Sequence, residues 1–392
     1  MKIADVKTIR LRAPIPTEGQ VFSRSGVRNT RSTTLIKVET DDGIYGLGSA
    51  SGNGELIEII IARVLKPMIV GMDPTEIDEI WDTAYVRGGH KEFGTRGVGV
   101  VALSGVDIAL WDILGKARGV PLYQLLGGKV RDKVPVYATA LYPEEPARVA
   151  RRARGFADQG FHGVKIKVGF DLDKDIRIVR AVRQELGKDF IVMTDANQGY
   201  SIDIGIKAAQ AFADAGAFWL EEPLFVEDIE GHAILREKGN TPIAVGENLH
   251  MTYAFENFIL RGAVDFIQPD VARAGGITEI RKITALARKH RVPVSFHTWG
   301  DGVALAASVH LSAALKDCIV MELDYTYNPL REELLREPFK VENGYLTPSD
   351  RPGLGIDLNP DALERFAFTG SEDLAIRQKT LALLVAPFAA LF

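Results

Sequence analysis

Ionisable residues recur at the ends of short apolar runs in the middle of this chain. The runs "GVKIKV", "FIVMTD", "AFWLEE", "PIAVGE", "DFIQPD", "VPVSFH" and "CIVMEL" finish on or beside Lys165 and Lys167, Asp195, Glu221, Glu247, Asp270, His297 and Glu322. Successive members are about 23 to 30 residues apart, the length of one strand–helix unit. Residues at the same point of successive units of a closed barrel share one ring at its C-terminal mouth, where barrel enzymes keep their chemistry. One carboxylate after a strand is ordinarily a helix cap or turn former. Independent caps, however, have no reason to fall at the same position in unit after unit.

Three of these carboxylates, Asp195, Glu221 and Glu247, come from consecutive units and should converge. Bare, they would repel, and at least one would take up a proton. A hard divalent cation resolves the conflict, and an all-oxygen set points to Mg2+, with Mn2+ as a tolerated substitute. Zinc would recruit histidine or cysteine, which the neighbouring units lack. Lys165 and Lys167 share one face of the strand before this triad, with Val164, Ile166 and Val168 on the other. A solvated edge strand would be the plain account of that pair. Beside a cation, each lysine instead lowers the pKa of the other and the metal lowers both, so that one can serve as a general base. Across the mouth, Asp270 and His297 lie one unit apart, and a carboxylate on one ring nitrogen would fix the tautomer and basicity of the other. Glu322 is a candidate hydrogen-bond partner for a substrate carboxylate. His250, three residues after Glu247, could touch substrate.

The elements that must position these residues are legible around them. "TTLIKVET" and "IYGLGSAS" flank Asp42-Gly43, a tight-turn pair, and read as a hairpin. Helical patterns over about 56–65, 74–85 and 97–118 complete an α+β capping domain, 1–125. From "VPVYAT" onward, eight apolar runs alternate with patterns such as "DLDKDIRIVRAVRQEL", which predicts a (β/α)8-type barrel over 126–325. Residues 326–370 should return to the capping domain. The tail 371–392 ends in "TLALLVAPFAALF", which suits a docking helix or an oligomer contact equally.

The 392 residues carry a net charge of -5 with no basic block, which argues against nucleic acid or an anionic membrane as partner. Cys318 is the single cysteine, so no disulfide can form within the chain, and a reducing cytoplasm fits. "MKIADVKTIRLRAP" lacks the apolar core of a signal peptide, and no apolar run is expected to reach the roughly 20 residues of a membrane span.

Taken together, "VKIK", "DAN" (195–197), "EEP" (221–223), "GEN" (246–248), "QPD" (268–270), "FHTWG" (296–300) and "MELD" (321–324) resemble the enolase superfamily and, within it, the mandelate racemase subgroup. "SGVDIALWDILGKARGVPLYQLLGG" (104–128) is similar to that family's link between capping domain and barrel. The resemblance covers nearly the whole chain. It implies a modified TIM barrel with an α+β cap completed by the C-terminal segment. It also implies a Lys or His base working with Mg2+, a property known of the superfamily. By that resemblance Lys167 is the base on one face, and Lys165 binds the substrate carboxylate and tunes Lys167. His297, paired with Asp270, serves the other face, and Glu322 is the electrophilic partner. Asn197 and Trp299 fall within the shared motifs as substrate-binding candidates. Muconate cycloisomerases and dipeptide epimerases carry a lysine where this strand ends in Asp270, so the chain does not look like them.

The half-reaction implied is Mg-dependent removal of the proton α to a carboxylate through a metal-stabilised enediolate. Dehydration of an aldonic or aldaric acid to a 2-keto-3-deoxy acid, a step of sugar-acid catabolism, is the first expectation. An isomerase is the second, either a 2-hydroxy acid racemase or epimerase or a sugar-acid lactone cycloisomerase such as those acting on galactarolactone. A non-catalytic scaffold is the third. Loops over 16–30 and 50–56 should set specificity, and Ser23, Arg24, Ser25 and Arg28 suit a hydroxylated anionic small molecule. Members of this kind commonly form homo-oligomers.

Overall fold

A computed structural model describes residues 1–19, 21–23 and 26–370. The tail 371–392, Arg24 and Ser25 lie outside the described residues.

The chain opens with the long strand β1 (Ile3–Pro14) and a small antiparallel ribbon, β2 (Val21–Ser23) with β3 (Gly26–Arg28). Strands β4 (Thr30–Thr40) and β5 (Tyr45–Ala50) follow, joined through the Asp42-Gly43 turn, where Gly43 takes the left-handed φ of 90° that the turn requires. The capping sheet has the order β1-β4-β5 and is antiparallel throughout. Alternate residues of β5 are glycine because the strand lies directly on the helix Val98–Arg118. A Cβ on Gly48 would stand 1.8 Å from the Gly105 carbonyl oxygen.

That helix is 21 residues long and apolar enough to cross a membrane by composition, contrary to the expectation from sequence. Two acids interrupt its pattern, Asp107 and Asp112, and both are buried tethers. Asp107 accepts from the backbone N–H (2.9 Å) and hydroxyl (2.5 Å) of Thr278 on a barrel helix. Burial pushes its carboxyl up to about 7. Asp112 accepts from the backbone N–H of Leu47 (2.9 Å) on β5 and of Leu354 (2.8 Å) in the C-terminal segment. One core helix thus joins sheet, barrel and C-terminal segment.

The barrel runs through β6 (Val134–Leu141), β7 (Gly163–Lys167), β8 (Ile191–Asp195), β9 (Leu220–Glu221), β10 (Ile243–Val245) and β11 (Phe266–Ile267), each parallel to the next. The seventh run pairs only at Val294, which bridges Ile267 on one side and Cys318 on the other. The eighth, β12 (Met321–Asp324), pairs with β6 and closes the ring. Helices with one buried face follow the first six strands, and the helix after the seventh, Gly302–Ala314, is buried on all sides. In Leu172–Leu186 the buried residues include Ile178, Val179 and Val182, and the Asp171 side chain caps its start. After β12 only the short turn Pro329–Glu332 forms before the chain turns away. Strand β13 (Tyr345–Leu346) pairs antiparallel with the start of β6, and Leu11 bridges Ala367 on the capping sheet.

Inside the barrel, Tyr137 of β6, Met193 of β8, Trp219 just before β9 and Ala244 of β10 form one buried cluster. Tyr137 meets Trp219 edge-on at 5.7 Å. This aromatic plug closes the floor on which the polar mouth rests.

His310, on the barrel helix Gly302–Ala314, is a structural histidine. Its Nδ1 accepts from the Tyr123 N–H (3.3 Å), so Nε2 carries the proton donated to the Leu354 carbonyl (3.1 Å). Burial pushes its pKa down to about 4. Above its ordinary value near 6.5 the ring is neutral in folded and unfolded chains alike; below it, the unfolded chain takes a proton that the fold refuses. Stability should therefore fall as pH drops from about 6.5 to about 4, by up to roughly 3 kcal/mol. Denaturant unfolding across that range should show a shallower slope in His310→Gln, and an identical slope would remove His310 as the cause.

Candidate active site

The ends of β7 to β12 bring all eight ring residues together. Asp195, Glu221 and Glu247 present carboxylate oxygens within 4.8 Å of one another. Lys165 Nζ stands 2.7 Å from Glu322, 2.9 Å from Glu221 and 3.4 Å from Asp195. Lys167 Nζ donates to Asp195 Oδ2 (2.5 Å) and Asn197 Oδ1 (2.8 Å). On the other side, His297 Nδ1 meets Asp270 Oδ2 at 2.7 Å, while Nε2 lies 3.1 Å from Glu247 and 3.5 Å from Glu322. The cluster is enclosed: Lys165 has no exposed side-chain surface, whereas 12 % of Lys167 faces the mouth.

The backbone is bent to build this arrangement. Asn197 (φ 42°), Gln198 (φ 63°) and Glu222 (φ 37°) all sit in the left-handed region just beyond β8 and β9. Non-glycine residues hold that conformation only where the surroundings over-determine it.

Electrostatics follow from the count of charges. Burial and Asp195 push Glu221 up to about 8, against the pull of Lys165. Burial would also raise Glu322, but Lys165 and His297 bring it down to about 2. His297 would be lowered by burial, yet Glu322 and Glu247 hold it well above its ordinary range. The lysines answer to the acids around them. Burial lowers both, but Glu221 and Glu322 hold Lys165, and Asp195 holds Lys167, above the usual lysine value. Carboxylates outnumber the cationic side chains, so mutual repulsion between two lysines is the smaller effect. Lowering Lys167 therefore requires positive charge at the carboxylates. Three carboxylates, two buried and Glu247 part-buried, with no histidine or cysteine among them form a donor set that fits Mg2+.

The structure also places the remaining candidates. Asn197 belongs to the cluster, and its side-chain amide reaches Glu247 Oε1 at 3.4 Å. His250 is the residue before the helix Met251–Leu260, on the rim; burial and Arg273 push it down to about 4, so it is neutral. Trp299 stacks beneath two guanidinium groups of the cap, Arg31 at 4.2 Å and Arg28 at 5.0 Å. Lys165 has Glu221 and Glu322 as its close partners.

Several contributors were not singled out from the sequence. Thr139, the last residue of "VPVYAT", donates to Glu322 Oε1 (2.6 Å), and the rule that selected the ring residues would have reached it. Gln268, two residues before Asp270, donates to Glu221 Oε2 (2.8 Å). Asp301 accepts from the hydroxyls of Thr33 (2.5 Å) and Ser49 (2.6 Å) on the capping sheet, while its other oxygen caps the helix Gly302–Ala314. Arg31 pairs with Asp324 at 3.0 Å. No local signal marks these last two, because their partners lie on the other domain.

Comparison with known proteins agrees with this architecture. Residues 6–127 match the family described as the mandelate racemase / muconate lactonizing enzyme N-terminal domain, and residues 148–362 match the enolase C-terminal domain-like family. The chain is 38 % identical to a D-galactarolactone cycloisomerase of Agrobacterium fabrum, with 93 % of this chain and 99 % of that protein covered. It is 32 % identical to an arabinonate dehydratase of Saccharolobus solfataricus, again over 93 % and 99 %. Among solved structures, a racemase from Streptomyces coelicolor A3(2) with bound magnesium superposes with a TM-score of 0.85 at 32 % identity, covering 93 % of this chain and 100 % of that one.

Outer-shell partners of a metal site alone are worth about 10–100-fold in affinity. Glu221→Gln should therefore weaken Mg2+ binding by more than roughly 100-fold in calorimetric titration. Retention of wild-type affinity would remove the three carboxylates as the cation site.

Proposed function

The chain belongs to the mandelate racemase/muconate lactonizing enzyme family of the enolase superfamily, and from that premise we propose that it catalyses β-elimination on a sugar acid. The first reading is dehydration of an aldonic or aldaric acid to a 2-keto-3-deoxy acid. One observation carries it: Lys167 and the His297–Asp270 pair stand on opposite sides of a three-carboxylate cluster and face the same mouth.

Mg2+ held by Asp195, Glu221 and Glu247 would neutralise the charge that develops on the substrate carboxylate and draw the lysines towards neutrality. The protein supplies the proton transfers. Lys167, the more accessible lysine, takes the proton from the carbon α to the carboxylate. Those electrons form the carbon–carbon double bond as the bond to the β-oxygen breaks. His297, held by Asp270 through Nδ1, delivers the proton on Nε2 to the departing oxygen. The enol then tautomerises to the 2-keto acid. Lys165 and Thr139 fix the position of Glu322 beside the cluster, and Asn197 orients Lys167.

Ring opening of a sugar-acid lactone is the second reading, favoured by the 38 % identity to the galactarolactone cycloisomerase. It uses the same two proton transfers, with the ring oxygen as leaving group and no loss of water. The polar guanidinium-lined side of the mouth around Trp299, Arg28 and Arg31 suits a hydroxylated anion in either case.

The purified protein with Mg2+ should be screened in D2O against aldonic and aldaric acids, 2-hydroxy acids and aldarolactones, with proton NMR and trapping of 2-keto acids. A keto acid formed with loss of water supports dehydration; an isomeric acyclic product from a lactone supports the second reading. α-Deuteration of a recovered 2-hydroxy acid without elimination would overturn both in favour of racemisation. On the substrate found, Lys167→Ala and His297→Asn should each lose roughly 100- to 10,000-fold in kcat, the range for one acid–base group.

A further inference from the structure

Glu222 takes no part in the steps above, yet it is fully buried immediately beyond Glu221. Its carboxylate accepts three hydrogen bonds. Oε1 receives the backbone N–H of Asn248 (3.3 Å), and Oε2 receives the side-chain amides of Asn248 (2.7 Å) and Gln198 (3.2 Å). Gln198 stands three residues after Asp195, and Asn248 follows Glu247 directly. One carboxylate therefore ties together the three strand ends that carry Asp195, Glu221 and Glu247.

Neither amide can turn round. Gln198 Oε1 accepts from the Val226 N–H (3.4 Å), and Asn248 Oδ1 accepts from Arg273 Nη2 (3.0 Å), so both NH2 groups are aimed at Glu222. Asn248 Nδ2 also reaches Glu247 Oε1 (3.3 Å). Arg273 in turn donates its backbone N–H to the Asp270 carbonyl (3.1 Å), which extends the path to the strand end of the His297 pair. The left-handed φ values of Gln198 and Glu222 lie within this same patch, where the Gln198 N–H bonds the Glu222 carbonyl at 2.7 Å. A residue needed only to fill space would not require an acceptor at both oxygens.

We propose that Glu222 is a positioning residue that holds the three carboxylates at the separation a divalent cation demands. The inference rests on the cation site of the proposed reaction and names what builds it. Glu222→Gln preserves volume but turns one acceptor into a donor facing donors that cannot move.

The test uses the full chain, with Mn2+ as probe. Wild type, Glu222→Gln and Gln198→Ala are titrated calorimetrically with Mn2+ and compared by electron paramagnetic resonance of the bound ion; thermal unfolding is measured without cation. Glu222→Gln is expected to bind about 10–100-fold more weakly, the range for outer-shell partners, with an altered spectrum of bound Mn2+. Gln198→Ala, which removes one donor and leaves Glu222 in place, should show a smaller loss in the same direction. It decides the matter if Glu222→Gln fails to fold. Unchanged affinity and spectrum in the folded variants would overturn the role of Glu222 while leaving the reaction standing. A wild type that binds no Mn2+ or Mg2+ would overturn the reaction and this inference together.

Discussion

Repulsion among carboxylates forced into one buried mouth is the constraint around which this molecule is organised. Asp195, Glu221, Glu222, Glu247, Asp270 and Glu322 are gathered there, against Lys165, Lys167 and His297. Buried charges of one sign persist only when paired, hydrogen-bonded or joined by a cation. Each feature of the mouth answers that demand. Lysines are threaded between the acids, amides are aimed by third residues, backbone is held in conformations that non-glycine residues avoid, and an aromatic floor keeps water from below.

How much of this the sequence displays depends on the range of the interaction. The ring residues were legible because each ends an apolar run, and a barrel turns that one-dimensional period into a circle. The hairpin at Asp42-Gly43 and the helix–strand alternation were legible for the same local reason. The apolar length of Val98–Arg118 was not, because Asp107 and Asp112 break the pattern for the eye while serving as tethers in the core. The influence of the acids on the lysines was not legible, because the sequence sets the two lysines beside each other, whereas the folded site also sets them among the carboxylates of neighbouring strands. Arg31 and Asp301 carry no periodic signal, since their partners are hundreds of residues away in the chain.

The cap and the barrel divide the work. The barrel supplies the charged ring, and the cap supplies the guanidinium groups over Trp299 and the hydroxyls on Asp301. The C-terminal segment fastens the two, through Leu354 on Asp112 and Ala367 beside Leu11.

Asp301 gives that division an evolutionary meaning. It lies four residues after His297 and grips the capping sheet with one oxygen while starting a barrel helix with the other. The fixed part of the cap and the strand end that carries His297 are therefore a single mechanical frame. The ribbon of β2 and β3 is a separate two-stranded sheet that meets this frame through Arg28 over Trp299. In the function proposed above, substitutions in the ribbon would change which molecule enters without disturbing how protons move, so a lineage would explore new substrates while its chemistry stays insulated from the search.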